Sequence, residues 1–143
     1  MEEVRTEVRK LAETNQNIKG FDPKQFMVSV RCDQEDQRVN DIVRRIDVNN
    51  EFNNLWISNE NHDIFLKRFN KGIGLEFLLN RLNLQKSEVL AVGNDPNDKE
   101  MLEVAGISIT TDPENVQADF QTEGKYELGG DEVVDRLLEL LEQ

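Results

Sequence analysis

Cysteine and histidine are almost absent from this chain of 143 residues, which contains one of each, Cys32 and His62. A single cysteine excludes an intramolecular disulfide, and one cysteine with one histidine cannot form the clusters that bind zinc. Long apolar runs are also missing. None approaches the roughly 18 residues that a membrane-spanning helix needs, and the charged start MEEVRTEVRK lacks the apolar core of a signal peptide. We therefore expect a cytoplasmic protein that does not contact the membrane.

Basic residues are in deficit, because 17 lysines and arginines face 29 acidic residues and leave a formal net charge of −12. Such a charge repels the phosphate backbone of nucleic acids, so we expect no nucleic-acid partner. The simplest interpretation of the acidic residues is a well-solvated surface. Length and a hydrophobic fraction of 37% predict one compact domain or two small lobes.

The first half of the chain alternates between helical and strand-like patterns. Apolar residues at helical spacing predict two amphipathic helices, and short apolar or β-branched runs predict strands. In order, the expected elements are a helix over residues 2–14, a strand over 26–32, a helix on which Val39, Ile42, Val43 and Ile46 share a face, and a hairpin of strands 55–57 and 64–66. His62 falls in the expected hairpin turn, so we interpret it as a turn residue.

The second half follows a different pattern, which changes near Asn70. A leucine-rich helix leads into the continuous apolar run Val89–Val92, which is typical of a strand buried on both faces of a parallel sheet. The expected elements that follow are a helix over 98–105, a strand over 107–110, a short helix capped by Asp112, and a closing helix over 131–142 whose apolar stripe packs against the sheet. The chain is therefore predicted to be α/β, with an α+β segment at 1–69 and a parallel-sheet segment at 70–143.

Polar residues crowd the loop that follows this strand. Asn94, Asp95, Asn97 and Asp98 lie between a predicted buried strand and a predicted helix. Ligands of open α/β sheets bind at the carboxyl ends of the strands, and neighbouring carboxylates favour a bound cation, for which Mg²⁺ is the simplest choice. The alternative is structural, because these residues also form turns and cap helices.

A lysine opens the preceding helix, in the sequence Lys71-Gly72-Ile73-Gly74. A cation in the first helical turn opposes the helix dipole, and each glycine in a helix costs up to about 1 kcal/mol relative to alanine, so helix stability does not favour this sequence. An ammonium group at a helix N-terminus could instead hold a phosphate or a carboxylate. The alternative is a solvated surface lysine before a glycine turn.

The two features lie in one continuous stretch, KGxxLxxLLxxLxLxxxEVLAVGNDxNDxxMLxxAG, from Lys71 through Gly106. This stretch resembles the third and fourth motifs of haloacid dehalogenase-like (HAD) phosphatases, especially those with a large cap inserted before the lysine. The stretch from Gly106 to Asp119 and the closing helix resemble the strand, loop and last helix of that family. Residues 1–69 resemble the later part of an α/β cap only in their order of elements.

The resemblance implies roles for each candidate residue. Lys71 corresponds to the lysine that stabilises an aspartyl nucleophile and its phosphorylated form. Asp98, with Asn94 or Asp95, corresponds to the acidic residues that hold Mg²⁺, and Asn97 corresponds to a position that contacts the substrate phosphate. Asn94 departs from the pattern, since aspartate is common there. An amide oxygen can bind Mg²⁺ but brings no charge.

The nucleophile motif of the family is missing. HAD phosphatases carry a DxD motif on an N-terminal strand, and no segment before Lys71 matches it, because the acidic run at 33–36 lacks the spacing and the apolar lead-in. Three explanations stay open: a C-terminal part of a phosphatase that is inactive without its other half, a non-catalytic descendant used in binding or assembly, and an unrelated α/β domain. The family-level substrate is a phosphorylated small molecule such as a sugar phosphate or a phosphoglycerate-type ester.

Loss of that strand has a structural consequence. Removing the N-terminal strand of a parallel sheet leaves an open edge beside residues 89–92, and open edges recruit partners. We therefore expect a homo-oligomer, a separate N-terminal half, or cap strands that merge with the core into one sheet.

Overall fold

A computed structural model describes residues 1–125 and 129–141. The chain forms two compact units, Met1–Phe69 and Asn70–Gln143. The first unit comprises α1 (Glu2–Ala12), β1 (Ile18–Phe21), β2 (Val28–Cys32), α2 (Gln37–Ile46), β3 (Phe52–Ile57) and β4 (Asn61–Leu66). The second comprises α3 (Lys71–Leu82), β5 (Leu90–Gly93), α4 (Lys99–Val104), β6 (Ile107–Thr110), β7 (Phe120–Gln121) and α5 (Gly130–Leu141). Short 3₁₀ turns span Lys86–Glu88 and Pro96–Asp98.

The first unit is an antiparallel sheet with its core on one face. The strand order is β1-β2-β4-β3, and all three pairs are antiparallel. Valines of α1 and α2, among them Val8 and Val43, pack with Val30 and Ile64 of the sheet. Because side chains alternate along a strand, these inward residues recur at every second position.

The second unit contains a parallel sheet with the strand order β5-β6-β7. On one face Ala91 of β5 packs with Leu102 of α4 and with Val116. The parallel sheet confirms the predicted α/β class. The two sheets are separate, so the expected merger of cap strands with the core is wrong.

Several predicted elements need correction. β1 and β7 were not predicted, because IKGF and FQ are too short and too polar to show a strand pattern. Asp112 starts a turn instead of a helix. The N–H groups of Asn115 and Val116 both donate to its carbonyl oxygen, and no helix lies between β6 and β7. The end of the predicted closing helix, Glu142, lies outside the described residues.

Two predictions about burial are also wrong. Val92 is 38% exposed, so β5 is not covered on both faces. The apolar stripe of α5 does not pack against the sheet, because Val134, Leu138 and Leu141 are exposed. The Arg136 guanidinium of α5 lies 4.2 Å from the ring centroid of Phe120 in β7. Within the described ranges, no helix combines the length and apolarity that crossing a bilayer requires.

Candidate functional site

The loop after β5 folds back on itself through two carboxylates. Asp95 and Asp98 form a reciprocal capping box around the 3₁₀ turn Pro96–Asp98. Asp98 Oδ2 accepts hydrogen bonds from the backbone N–H groups of Asn94 (3.0 Å) and Asp95 (3.2 Å). The Asn94 side-chain amide donates to Asp95 Oδ2 at 3.1 Å, which leaves its carbonyl oxygen available as an acceptor. Three oxygen-bearing side chains are thus held in one turn.

The end of β5 must be glycine for this turn to form. A Cβ on Gly93 would lie 2.6 Å from the Cβ of Asp98 and 2.9 Å from its carboxyl carbon. Both residues are buried, and Asp98 is only 4% exposed. Gly93 therefore lets a charged side chain pack directly against the strand backbone.

Lys71 reaches this turn from the start of α3. The Asn70 side chain caps the helix by accepting a hydrogen bond from the Ile73 N–H at 2.9 Å. The Lys71 ammonium contacts Asp98 Oδ1 and lies 3.3 Å from Asn97 Oδ1. Its side chain is 49% exposed, so the ammonium faces solvent on one side and the buried carboxylate on the other.

Close packing of α3 on α4 makes this approach possible. A Cβ on Gly72 would lie 2.6 Å from the carbonyl oxygen of Glu100 and 2.8 Å from its carbonyl carbon. Gly72 is buried, whereas a Cβ on Gly74 would meet nothing within 4 Å. The close packing of α3 on α4 therefore explains why glycine follows Lys71, which helix propensity did not reveal.

All five predicted site residues lie in one cluster. The structure brings Lys71 next to Asn97 and Asp98, and Asp98 next to the backbone of Asn94 and Asp95. The structural alternative also has support, because both carboxylates serve as caps of the 3₁₀ turn. Their chemical roles stay predictions.

The donor set suits a hard cation. Carboxylate and amide oxygens are the ligands that Mg²⁺ takes, and Mg²⁺ sites often use one or two carboxylates with water and substrate phosphate as the other ligands. Asp95 and Asp98 supply two carboxylates. No group of three or more His, Cys, Asp or Glu residues in the described part of the chain could hold a metal by itself. The cluster therefore fits Mg²⁺ only as a partial site that needs ligands from elsewhere.

A further buried carboxylate lies at the end of the next strand. Thr111 N–H donates to the Gly93 carbonyl at 3.0 Å, which joins the ends of β5 and β6. Asp112, 3% exposed, forms an ion pair with Lys125 at 3.1 Å. The Asp112 side chain also accepts a hydrogen bond from the Glu114 N–H. Its carboxylate is therefore engaged in its own turn and with Lys125. The sequence pattern predicted only a helix cap at Asp112, although its position after a predicted parallel strand could have indicated a site residue.

The first unit contains a buried polar cluster that the sequence pattern missed. His62 lies inside β4 and is 1% exposed, so its assignment to a hairpin turn is wrong. Its Nε2 accepts the Asp36 N–H at 2.9 Å, which fixes the proton on Nδ1, 3.3 Å from Asn54 Oδ1. Burial lowers the pKa of His62. Hydrogen bonds from Arg38, with further ones from Asn15, lower the pKa of Asp36 well below its ordinary value.

This cluster gives Asp36, the last residue of the acidic run at 33–36, a structural role. The Asp36 side chain caps α2 by accepting the Arg38 N–H at 3.0 Å. Its other oxygen accepts hydrogen bonds from Asn15 at 2.7 Å and from Asn17 at 3.0 Å. Because both oxygens are engaged and the group is 5% exposed, Asp36 is positioned to hold α2 against the sheet.

Known proteins with similar sequences are haloacid dehalogenase-like hydrolases and phosphatases. The sequence model of the haloacid dehalogenase-like hydrolases matches residues 1–117. A phosphoglycolate phosphatase from Methanothermobacter thermautotrophicus is 36% identical over 73 residues, which make up 48% of this chain and 33% of that protein. The match with this chain therefore covers only about a third of the length of that relative.

Solved structures show the same fold. The sucrose-phosphatase from Synechocystis sp. PCC6803, solved in complex with sucrose and phosphate, superposes with a TM-score of 0.64 and 16% identity over 92% of this chain and 61% of that one. A haloacid dehalogenase-like hydrolase from B. subtilis superposes with a TM-score of 0.59 and 22% identity over 81% of this chain and 43% of that one.

Proposed function

This chain belongs to the haloacid dehalogenase-like hydrolase family, and we propose that it supplies the lysine and metal-binding half of a Mg²⁺-dependent phosphomonoester hydrolase. The observation that carries the proposal is the convergence of Lys71, Asn97 and Asp98 beyond the carboxyl end of β5. In open α/β sheets this is where ligands bind. An ammonium and an amide can bind a phosphate, and a carboxylate can bind the cation that accompanies it.

Lys71 and Asn97 would contact the substrate phosphate. The ammonium is long, half exposed and next to a carboxylate, so it can turn toward a phosphoryl oxygen or toward an aspartyl nucleophile as negative charge develops there. The Asn97 amide lies 3.3 Å from that ammonium and can donate a hydrogen bond to the same phosphate. These roles need no proton transfer by either residue.

Asp98, with Asn94 and Asp95, would hold the cation. When bound there, Mg²⁺ would offset the charge of the phosphate and orient it for attack. Asp98 is the best-fixed ligand, because two backbone N–H groups orient Oδ2 while Oδ1 faces the lysine. Asn94 contributes an oxygen without charge, so Asp95 supplies the second negative charge.

Hydrolysis needs a nucleophile from outside these 143 residues. No described side chain near Lys71 matches the DxD pattern of the family, and in the acidic run at 33–36 Asp36 caps α2 while Asp33 pairs with Lys19. We therefore propose that this chain alone binds Mg²⁺ without turning over substrate. The proposed substrate class is a sugar phosphate or a phosphoglycerate-type ester, which the names of the phosphoglycolate phosphatase and sucrose-phosphatase relatives support.

A second candidate function is binding or assembly without catalysis. It is favoured by the state of Asp98, whose two oxygens are already satisfied by N–H groups and by Lys71. A carboxylate that is fully paired in this way stabilises the turn without any cation. A protein of this kind would keep the fold and lack measurable Mg²⁺ affinity.

Calorimetric titration of the purified chain with Mg²⁺ separates the two functions. We expect saturable binding that falls at least about tenfold in Asp98→Asn and in Asp95→Asn, because each change removes a charged ligand. Asp135→Asn, on the exposed side of α5, is the matched control and should bind like wild type. Circular dichroism checks that each variant is folded. Equal Mg²⁺ affinity in all four proteins, or none in wild type, would favour the non-catalytic function.

Hydrolysis of an aryl phosphate is the companion assay. We expect the chain alone to be inert with or without Mg²⁺. If wild type turns over and Lys71→Ala does not, the chain contains a nucleophile that its sequence does not reveal, and the proposed division of the site is wrong.

A further inference from the structure

A continuous series of hydrogen bonds leads from the buried core of the first unit to its surface. It begins at the Asp36 N–H, which donates to His62 Nε2 at 2.9 Å, and continues from His62 Nδ1 to Asn54 Oδ1 at 3.3 Å. The Asn54 amide donates to Asn40 Oδ1 at 2.6 Å, and the Asn40 amide donates to Glu35 Oε1 at 3.2 Å. Because each bond fixes the donor and the acceptor of the next, the buried imidazole sets the orientation of both amide groups.

The series ends in a groove between α2 and β3. The groove has a volume of about 410 Å³, which is typical of small-molecule sites in proteins. Its lining includes both polar and apolar side chains, namely Glu35, Asn40, Arg44, Asn54, Val43 and Phe52. The amides of Asn40 and Asn54 each have two N–H groups and use one of them in the series, so each keeps a second N–H for a ligand.

The available groups of the groove do not suit an ion. An anion cannot donate to the Glu35 carboxylate and is repelled by it, whereas a cation offers no acceptor to the amide N–H groups and meets Arg44. Asp47 also lines the groove, but its two oxygens accept the N–H groups of Glu51 at 2.6 Å and Phe52 at 2.9 Å. A hydroxyl group both donates and accepts, so neighbouring hydroxyls satisfy the amides and the free carboxylate together.

We propose that this groove binds a neutral polyhydroxyl compound of monosaccharide size. One hydroxyl accepts a hydrogen bond from Asn40 or Asn54, and its neighbour donates to Glu35. Val43 and Phe52 contact the C–H groups of the ligand. The inference does not rest on the proposed function, because all of these residues belong to the first unit.

A purely structural role is the competing explanation. The same hydrogen bonds hold α2 against β3 and satisfy the buried His62 without any ligand. The two explanations differ in the response of the amide groups to polyols. A structural role predicts no response, whereas a binding site predicts that the side-chain N–H signals of Asn40 and Asn54 shift.

The test is a titration of the full isotope-labelled chain with D-glucose, D-galactose and myo-inositol, followed by NMR of the side-chain amides. We expect saturable shifts of the Asn40 and Asn54 signals with at least one of these probes. The dissociation constant should be about 1–10 mM, because the groove is open and the ligand is small. Acetate and methylammonium are the charged probes and should leave the two signals in place.

Two variants locate the ligand. Asn40→Asp removes the free N–H donor and keeps the acceptor for Asn54, and Glu35→Gln removes the charge of an exposed side chain. Each should weaken probe binding at least about fivefold. Asn59→Asp is the matched control and should bind like wild type, because it changes the charge equally at an exposed turn residue. Aspartate tolerates the left-handed backbone at this position, where φ is 56°. Circular dichroism checks that each variant is folded.

Saturable shifts that both groove variants weaken and Asn59→Asp does not would support the proposal. No saturable shift with any of the three polyols would overturn it and leave the hydrogen bonds a structural role. A preference for acetate or methylammonium would overturn the neutral class of ligand, and unchanged binding by Asn40→Asp would place the ligand outside the groove. The Mg²⁺ titration concerns the second unit, so it decides the proposed function separately.

Discussion

The two glycines at the start of α3 should respond in opposite directions to the same substitution. In a helix interior, glycine to alanine gains up to about 1 kcal/mol because alanine loses less backbone entropy on folding. A Cβ at Gly74 meets nothing within 4 Å, so Gly74→Ala should realise that gain. A Cβ at Gly72 would lie 2.6 Å from the Glu100 carbonyl oxygen, which belongs to the backbone of α4 and cannot rotate away.

The magnitude at Gly72 is a balance of two effects. Overpacking typically costs 1–3 kcal/mol, about 3 when backbone must shift, while the helix gain stays about 1 kcal/mol. Gly72→Ala should therefore destabilise the second unit by about 2 kcal/mol, and the two variants should differ by about 3 kcal/mol. A shift of α4 would also move Asp98 relative to Lys71.

Hydrogen exchange measured by mass spectrometry can follow the second unit alone. Peptides from α3 and α4 should exchange faster in Gly72→Ala and more slowly in Gly74→Ala, each relative to wild type. Trp56 lies in the first unit, so its fluorescence during urea unfolding is the internal control and should not change. Equal stabilisation by the two substitutions would refute the close packing of α3 on α4.

Three further predictions concern the first unit. Burial lowers the pKa of His62, so this unit should lose stability as pH falls below about 6.5, the ordinary value. The loss should be smaller in His62→Gln. Urea midpoints followed by Trp56 fluorescence between pH 5 and 8 test this, and a flat wild-type profile would contradict it. Burial raises the pKa of Cys32 to about 11, so a thiol reagent at pH 8 should label it only after unfolding, and rapid labelling of the folded chain would show that it is accessible. Ile64→Ala should cost about 2–5 kcal/mol because Ile64 is fully buried; a change below 1 kcal/mol in the same urea assay would place it outside the core.

Helices with a clear apolar stripe were predictable from the sequence. Val4 and Val8 of α1, and Val39 and Val43 of α2, are the buried residues that the helical spacing indicated. β6 was also predicted at its observed bounds, because ISIT is bounded by Gly106 and a polar turn. The short strands β1 and β7 depend on pairing with distant neighbours, which local patterns do not encode.

The candidate site was predictable because most of it is local. Asn94, Asp95, Asn97 and Asp98 occupy one turn, so their proximity follows from their positions in the chain. Lys71 was associated with them through a family resemblance, whereas the structure shows the physical link, which is the packing of α3 on α4. The role of His62 could not be predicted, since a polar residue among turn formers resembles a loop until its strand partners are known.

The arrangement of Asp95, Asp98 and Lys71 also has a thermodynamic consequence. Two carboxylates and one ammonium leave this turn with a single excess negative charge. A divalent cation alone would reverse that charge, and a phosphate dianion arriving with it would restore the original sign. Each ion would therefore raise the affinity for the other by the same factor, as reciprocal linkage requires. Saturation curves for Mg²⁺ should shift with phosphate concentration, so the site would respond to the ion pair rather than to either ion alone.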